Sequence, residues 1–300
     1  MVSAPNREED MMNAIQDFAD EDVGNIVSLE HINLQISDQA TATLFYVVGL
    51  GLTRDPYLTV GLENMWINVG EQQFHLPTRS AQVFSGQVGL VVPDLKHLQE
   101  RLKSVEERLK GTKFSWSIKD DHVAVTCPWG NHYHCYNPDP RFGDMALGMP
   151  YIEFLVKPGA AKGVARFYGE VMRAPSLLHS ENGAHTASVE IGRHQRLLFR
   201  ETRDEIRPYD GHHIAVYVAN FSGPYGFLKK RDLIMEDVRN HQFRFKQLVD
   251  PENGEKLFEL EHEVRSLRHP MYHRQFVNRD PTQTQRSYKR GRDAIVPVGV

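Results

Sequence analysis

Residues 29–38, LEHINLQISD, combine two local structural signals in one short stretch. The alternation of apolar and polar residues is typical of a half-buried β-strand, and Asp38 before QATATLF is typical of a helix N-cap. His31 lies on the predicted strand, where it is either a metal ligand or an ordinary polar residue at a strand end. Whether the chain repeats this arrangement decides between the two.

The chain does repeat it. The first unit continues with DQATATLFYVVG, MWINVG and EQQFHLP, which predict a helix and further strands in a βαβββ order. The segments YIEFLVKPGAAKGVARFYGEV and ASVEIGRHQRLLF match this unit at one constant offset, with Phe45 on Phe167, Tyr46 on Tyr168 and Gly70 on Gly192. Weaker copies begin at GQVGLVVPDLKHLQERL and GHHIAVYVANFSGPYGFLKKRDL. We therefore predict an α+β fold of four βαβββ units over residues 26–78, 85–138, 149–201 and 210–263.

The composition excludes several classes of protein. The chain has 300 residues, 40% of them hydrophobic, and a net charge of −4, so nothing favours nucleic acid or an anionic membrane as a partner. The acidic start NREEDMMNAIQDFADED lacks the features of a signal peptide, and we expect a cytoplasmic protein without membrane spans. Cys127 and Cys135 are expected to be reduced, packed thiols.

The repeated motifs, H-I-x-L-x-I-x-D followed by F-Y-x-x-x-G-L and closing strands, resemble the vicinal-oxygen-chelate superfamily of glyoxalase I, bleomycin-resistance proteins and extradiol dioxygenases. The resemblance spans 26–263. It implies that the four modules pair into two cupped mixed-sheet barrels, with domains at 25–145 and 146–263. An acidic arm (1–24) and a basic extension (264–300) flank these domains.

The resemblance also implies metal ligands from the first and last strand of each unit. Counting back from each helix start gives the first-strand positions His31, Gln87, Glu153 and His213. The last-strand positions are His75, His134, Leu197 and Glu259, with Glu261 as the rival of Glu259. Imidazole and carboxylate suit Fe(II), Mn(II), Ni(II) or Zn(II), and we expect Fe(II) first.

Two pairings of the units remain open. In chain order, one cavity holds His31, His75, Gln87 and His134, and the other holds Glu153, His213 and Glu259. If the first unit instead meets the fourth, one cavity collects His31, His75, His213 and Glu259.

The predicted function is a metal-dependent enzyme, with a non-haem Fe(II) dioxygenase acting on a small molecule and O2 as the first interpretation. A glyoxalase-type lyase or isomerase and a non-catalytic binding protein are the alternatives, and a homo-oligomer is possible. His194, His241 and Tyr217 are candidate acid–base groups. Tyr272, His273 and Arg274 are candidates to reach a substrate anion from the C-terminal extension.

Overall fold

A computed structural model describes residues 22–56, 63–181 and 183–274. Most of the predicted acidic arm and the extension beyond Arg274 lie outside the described residues. The described strands form two mixed sheets of eight strands each.

The first sheet is built from the first and fourth units, in the order β14-β15-β16-β13-β1-β4-β3-β2. Its strands are β1 (Ile26–Asn33), β2 (Thr53–Arg54), β3 (Asn64–Val69), β4 (Gln72–Pro77), β13 (His213–Val218), β14 (Ile234–Arg239), β15 (Gln242–Val249) and β16 (Lys256–Ser266).

The second sheet is built from the second and third units, in the order β10-β11-β12-β9-β5-β8-β7-β6. Its strands are β5 (Gly86–Val91), β6 (Ser115–Ile118), β7 (Val123–Thr126), β8 (His132–Tyr136), β9 (Tyr151–Val156), β10 (Ser176–Glu181), β11 (Ala184–Glu190) and β12 (Arg196–Glu201).

One helix follows the first strand of each unit. These are α1 (Gln39–Ala42, continued by a π-helix at Thr43–Gly49), α2 (Leu95–Val105), α3 (Ala160–Arg166, continued by a π-helix at Phe167–Met172) and α4 (Ser222–Lys229). Short 3-10 turns lie at Glu107–Leu109 and Pro140–Phe142. Asp38 caps α1 as predicted, because its carboxylate accepts a hydrogen bond from the Thr41 backbone N–H at 2.7 Å.

The repeated aromatic pairs, Phe45 with Tyr46 and Phe167 with Tyr168, fall in the two π-helical segments and are fully buried. They anchor these helices against the hydrophobic core. Cys127 and Cys135 are also buried there as free thiols.

The α+β class and the four βαβββ units are confirmed. Among the described residues both sheets have free edge strands, so neither closes into the predicted barrel. No helix in the described ranges is long and apolar enough to cross a membrane.

The sheets do not follow the predicted division into 25–145 and 146–263. β1 pairs antiparallel with β13, and β5 pairs antiparallel with β9, so each sheet takes one unit from either side of that boundary. The free edge of β1 is hydrogen-bonded to β13, the first strand of the fourth unit, rather than to β5, the first strand of the second unit. That residues 25–145 and 146–263 fold as separate units stays a prediction.

Candidate metal centre

Three histidines converge in the middle of the first sheet. His31 lies on β1, His75 on β4 and His213 on β13, and one ligand atom from each lies within 4.8 Å of the others. The strand order explains the cluster, because β1 sits between β4 and β13. The ring centroid of His31 lies 5.6 Å from that of His75 and 5.5 Å from that of His213.

Two of these rings present a nitrogen without a partner. Nε2 of His31 and Nε2 of His213 are buried and form no hydrogen bond among the described residues. Buried polar atoms are almost always paired, so two such nitrogens at one place fit a site that binds a cation. Burial, and next the neighbouring His31, lower the pKa of His75 and of His213, which keeps those two rings neutral as ligands must be.

The ring of His75 is fixed by its neighbours. It stacks on Trp66 with centroids 3.9 Å apart and planes at 12°, and its Nε2 lies 3.4 Å from Oδ1 of Asn64. Trp66 and His75 are opposite each other on β3 and β4. The tryptophan therefore forms an apolar wall behind one side of the candidate centre.

A buried charged network supports His31. Its Nδ1 donates to Oε2 of Glu30 at 2.8 Å, and Glu30 in turn accepts from the Arg265 guanidinium and from the Tyr217 hydroxyl. Burial alone would raise the pKa of Glu30, but Arg265 holds it well below its usual range. Glu30 is therefore an ionised partner that fixes the His31 tautomer with Nε2 free.

The strand register places Glu263 at the last-strand candidate position of the fourth unit. On the first unit His31 pairs with Gln73, and His75 stands two residues further along β4. On the fourth unit His213 pairs with Glu261, so Glu263 stands at the position equivalent to His75. Glu263 is buried, and Arg265 and Arg244 lower its pKa against the opposing effect of burial.

The two carboxylates predicted for this position lie elsewhere. Glu259 is half-buried and pairs with Lys256 at 3.0 Å, whereas Glu261 pairs with Arg244 at 2.5 Å. Two irregularities in the β15–β16 pairing each place one extra residue in β16. Counting from the turn therefore stops short of Glu263, and no feature of the sequence marks these bulges.

The other predicted ligand positions lie on the second sheet. His134 stacks on His122 at 4.2 Å, and Glu153 pairs with Arg200 at 3.1 Å. Gln87 pairs opposite both His132 and Glu153. By the same register rule Arg200, and not the fully buried Leu197, occupies the last-strand position of the third unit.

Of the three candidate acid–base groups, only Tyr217 touches the network around the histidines. His194 lies in the turn before β12, with Nε2 3.8 Å from Asp144, and His241 lies in the turn between β14 and β15. Tyr217 is buried, and burial followed by the charge of Glu30 raises its pKa, so it acts as a neutral hydrogen-bond donor. Its hydroxyl reaches Glu30 and not the histidines themselves.

The described start of the C-terminal extension packs against the first sheet. Arg274 is buried and donates to Asp55 at 2.7 Å and to Gln73 at 3.0 Å. Tyr272 contacts Tyr217 with ring centroids 4.9 Å apart. Arg274 is thus engaged by this chain's own carboxylate, which argues against its predicted role at a substrate anion.

Comparison with solved structures places the fold among known ones. No family model and no curated protein matches the chain. A "putative dioxygenase" from Bacillus subtilis subsp. subtilis str. 168 superposes with a TM-score of 0.56 at 14% identity, covering 91% of this chain and 93% of that one. Glyoxalase I from Zea mays gives 0.55 at 12% identity, covering 84% and 95%. The chain therefore shares its fold with these two structures.

Proposed function

We propose that this protein is a metal-dependent enzyme, and specifically a non-haem Fe(II) dioxygenase whose small-molecule substrate carries two adjacent oxygens. The observation that carries the proposal is the convergence of His31, His75 and His213, with the Nε2 atoms of His31 and His213 buried and free of partners. The name of the Bacillus subtilis protein of the same fold supports the same chemistry.

The donor set suits such a centre. Neutral imidazoles bind Fe(II), Mn(II), Ni(II) and Zn(II), and a divalent metal held there would chelate the two substrate oxygens and lower the pKa of a substrate hydroxyl. The chain's own residues supply the orientation. Glu30 fixes the tautomer of His31, Arg265 holds Glu30 in place, and Trp66 keeps His75 in its rotamer and excludes water from that side.

The number of protein donors favours dioxygenase chemistry over isomerisation. A dioxygenase must leave room for two substrate oxygens and for O2, which three protein donors permit. Glu263 is engaged by Arg244 and Arg265 through both of its carboxylate oxygens. It therefore acts as an anion that balances the arginines, and the three histidines remain as the donors.

A second candidate is a lyase or isomerase of the glyoxalase kind. It is favoured by the position of Glu263. By strand register Glu263 stands at the place in the fourth unit that His75 occupies in the first unit. If Glu263 joined the histidines, four donors would leave room for the two substrate oxygens only. The fold shared with Zea mays glyoxalase I agrees with this alternative.

Anaerobic purification, metal analysis and two activity assays test the proposal. We expect one divalent metal per chain, and O2 consumption with at least one member of a catechol and enol panel when the metal is Fe(II). A stoichiometric metal with isomerase activity on thiol–ketoaldehyde adducts, and no O2 consumption, would replace the dioxygenase by the second candidate. Protein that holds no metal after anaerobic purification or reconstitution would contradict both enzyme candidates and indicate a non-catalytic binding protein.

A further inference from the structure

A cavity of about 440 Å3 lies between the two sheets, away from the three histidines of the candidate metal centre. Phe154 of β9 and Phe258 of β16 contact each other in its lining, with ring centroids 5.8 Å apart, and Phe84 packs beside Phe154 at 5.4 Å. The volume falls in the range of small-molecule sites, and three phenyl rings favour a flat, aromatic occupant.

One buried polar group interrupts these aromatic walls. His212 lines the cavity at only 5% exposure, with its ring parallel to Phe154 at 6.0 Å. Its Nδ1 donates to Oδ1 of Asp210 at 2.8 Å, which leaves Nε2 as a hydrogen-bond acceptor. That Nε2 is buried and has no partner among the described residues.

Asp210 is itself held firmly. Its Oδ2 accepts from the backbone N–H of Val83 at 2.7 Å, and its Oδ1 also accepts from the backbone N–H of His212. Although burial opposes the charge, the hydrogen bond from His212 lowers the pKa of Asp210. The tautomer of His212 is therefore fixed, which leaves Nε2 as the free acceptor of a residue that lines the cavity.

The rim of the cavity is basic. Lys157, Arg207 and Lys256 line it together with one acid, Glu259, which is paired with Lys256 at 3.0 Å. Lys157 and Arg207 are exposed and form no ion pair within the described part of the chain. Two positive charges thus remain for a ligand anion.

We propose that this cavity binds a hydroxylated aromatic carboxylate, with the ring packed against Phe154 and Phe258, the hydroxyl donating to Nε2 of His212 and the carboxylate at Lys157 and Arg207. The site is separate from the candidate metal centre and does not depend on its function. His212 and His213 are neighbours in an extended chain and contact different residues, His212 the aromatic wall and His213 the ring of His31.

Calorimetric titration of the intact protein with 4-hydroxybenzoate tests the site, with benzoate as the ligand that lacks the hydroxyl. We expect saturable 1:1 binding with about tenfold preference for the hydroxylated acid, as one buried hydrogen bond provides. His212→Phe keeps a ring but removes the acceptor, so the two acids should then bind equally. Arg207→Gln should weaken both acids, because it removes a charge that serves the carboxylate.

Phe258→Trp fills the cavity and should abolish binding, whereas the same change at half-buried Phe227 of α4 should leave it intact. Phe258→Trp decides the matter if His212→Phe fails to fold. His75→Ala, at the metal centre, should bind the probe as the wild type does. Absence of saturable binding, binding that survives Phe258→Trp, or binding that disappears in His75→Ala would each overturn the proposal.

Discussion

The carboxylate of Glu30 lies 2.8 Å from Nδ1 of its chain neighbour His31, although consecutive residues of a strand normally point to opposite faces. The pairing of β1 with β13 explains the contact. Leu29 faces Val216 and His31 faces Ala215, so Glu30 is an extra residue in β1. This bulge turns the carboxylate toward the imidazole, and bulges of this kind often re-aim side chains beside functional sites.

Glu30→Gln should weaken metal binding by about 10- to 100-fold, the usual effect of losing a carboxylate that orients a metal-bound histidine. The amide keeps the size of the side chain but no longer stabilises the imidazole or balances Arg265. Competition with a chelator of known affinity measures the change. Glu100→Gln, at an exposed site on α2, is the matched control. Equal affinity in both variants would refute a role for Glu30.

The ligand set predicts which histidine variants lose metal. His31→Ala, His75→Ala and His213→Ala should each hold much less than one metal ion per chain, because each removes one of the three proposed donors. His134→Ala should keep the wild-type content, since His134 lies on the second sheet. Elemental analysis measures the metal content of those variants whose circular dichroism spectra match that of the wild type. Metal loss in His134→Ala alone would move the centre to the other sheet.

Glu263 and Glu259 should differ sharply in their effect on folding. Glu263→Gln leaves the fully buried Arg265 without one of its two carboxylates, and breaking such a buried pair costs about 3–5 kcal/mol. Glu259→Gln removes only a half-exposed pair with Lys256, which contributes about 1 kcal/mol or less. Urea unfolding at pH 7 compares the two free energies of unfolding. Similar values would mean that Glu263 does not compensate Arg265.

The positions of His31 and His213 in the histidine cluster could be predicted from the sequence because the distance from strand to helix start is short and constant. His31 and His213 stand at the same place before Asp38 and Asn220, and no bulge separates them from that landmark. The pairing of units could not be predicted. β1 and β5 carry similar alternating patterns, and which strand fills the free edge of β1 depends on contacts between segments far apart in the chain.

The last-strand candidate positions were harder to predict because they depend on hairpin register. His75 follows a tight turn after Gly70, so counting along β4 succeeds. In the fourth unit the two irregularities of β16 move the position to Glu263, past both predicted glutamates. In the third unit a longer turn at 192–195 moves it from Leu197 to Arg200. Local backbone irregularities of this kind leave no mark in the hydrophobic pattern.

His262 should make stability fall in mild acid. It is fully buried, with Nδ1 donating to the Leu260 carbonyl at 2.7 Å and Nε2 accepting from the Tyr168 hydroxyl at 2.6 Å. Burial lowers the pKa of His262 to about 4, although the Leu260 carbonyl opposes this effect. An unfolded histidine titrates near pH 6.5, so between about pH 6.5 and 4 the unfolded chain binds a proton that the folded protein does not.

The contribution of His262 is therefore complete above pH 6.5 and is lost as the pH falls toward 4, by about 1.4 kcal/mol per pH unit for one proton. Other buried histidines add to the total slope, so the test is a difference. His262→Phe should be less stable at neutral pH, because Tyr168 loses its partner, but its stability should fall less steeply in acid. Urea unfolding across this pH range measures both slopes, with exposed His97→Phe as the control. Parallel curves for wild type and His262→Phe would show that His262 is protonated equally in both states.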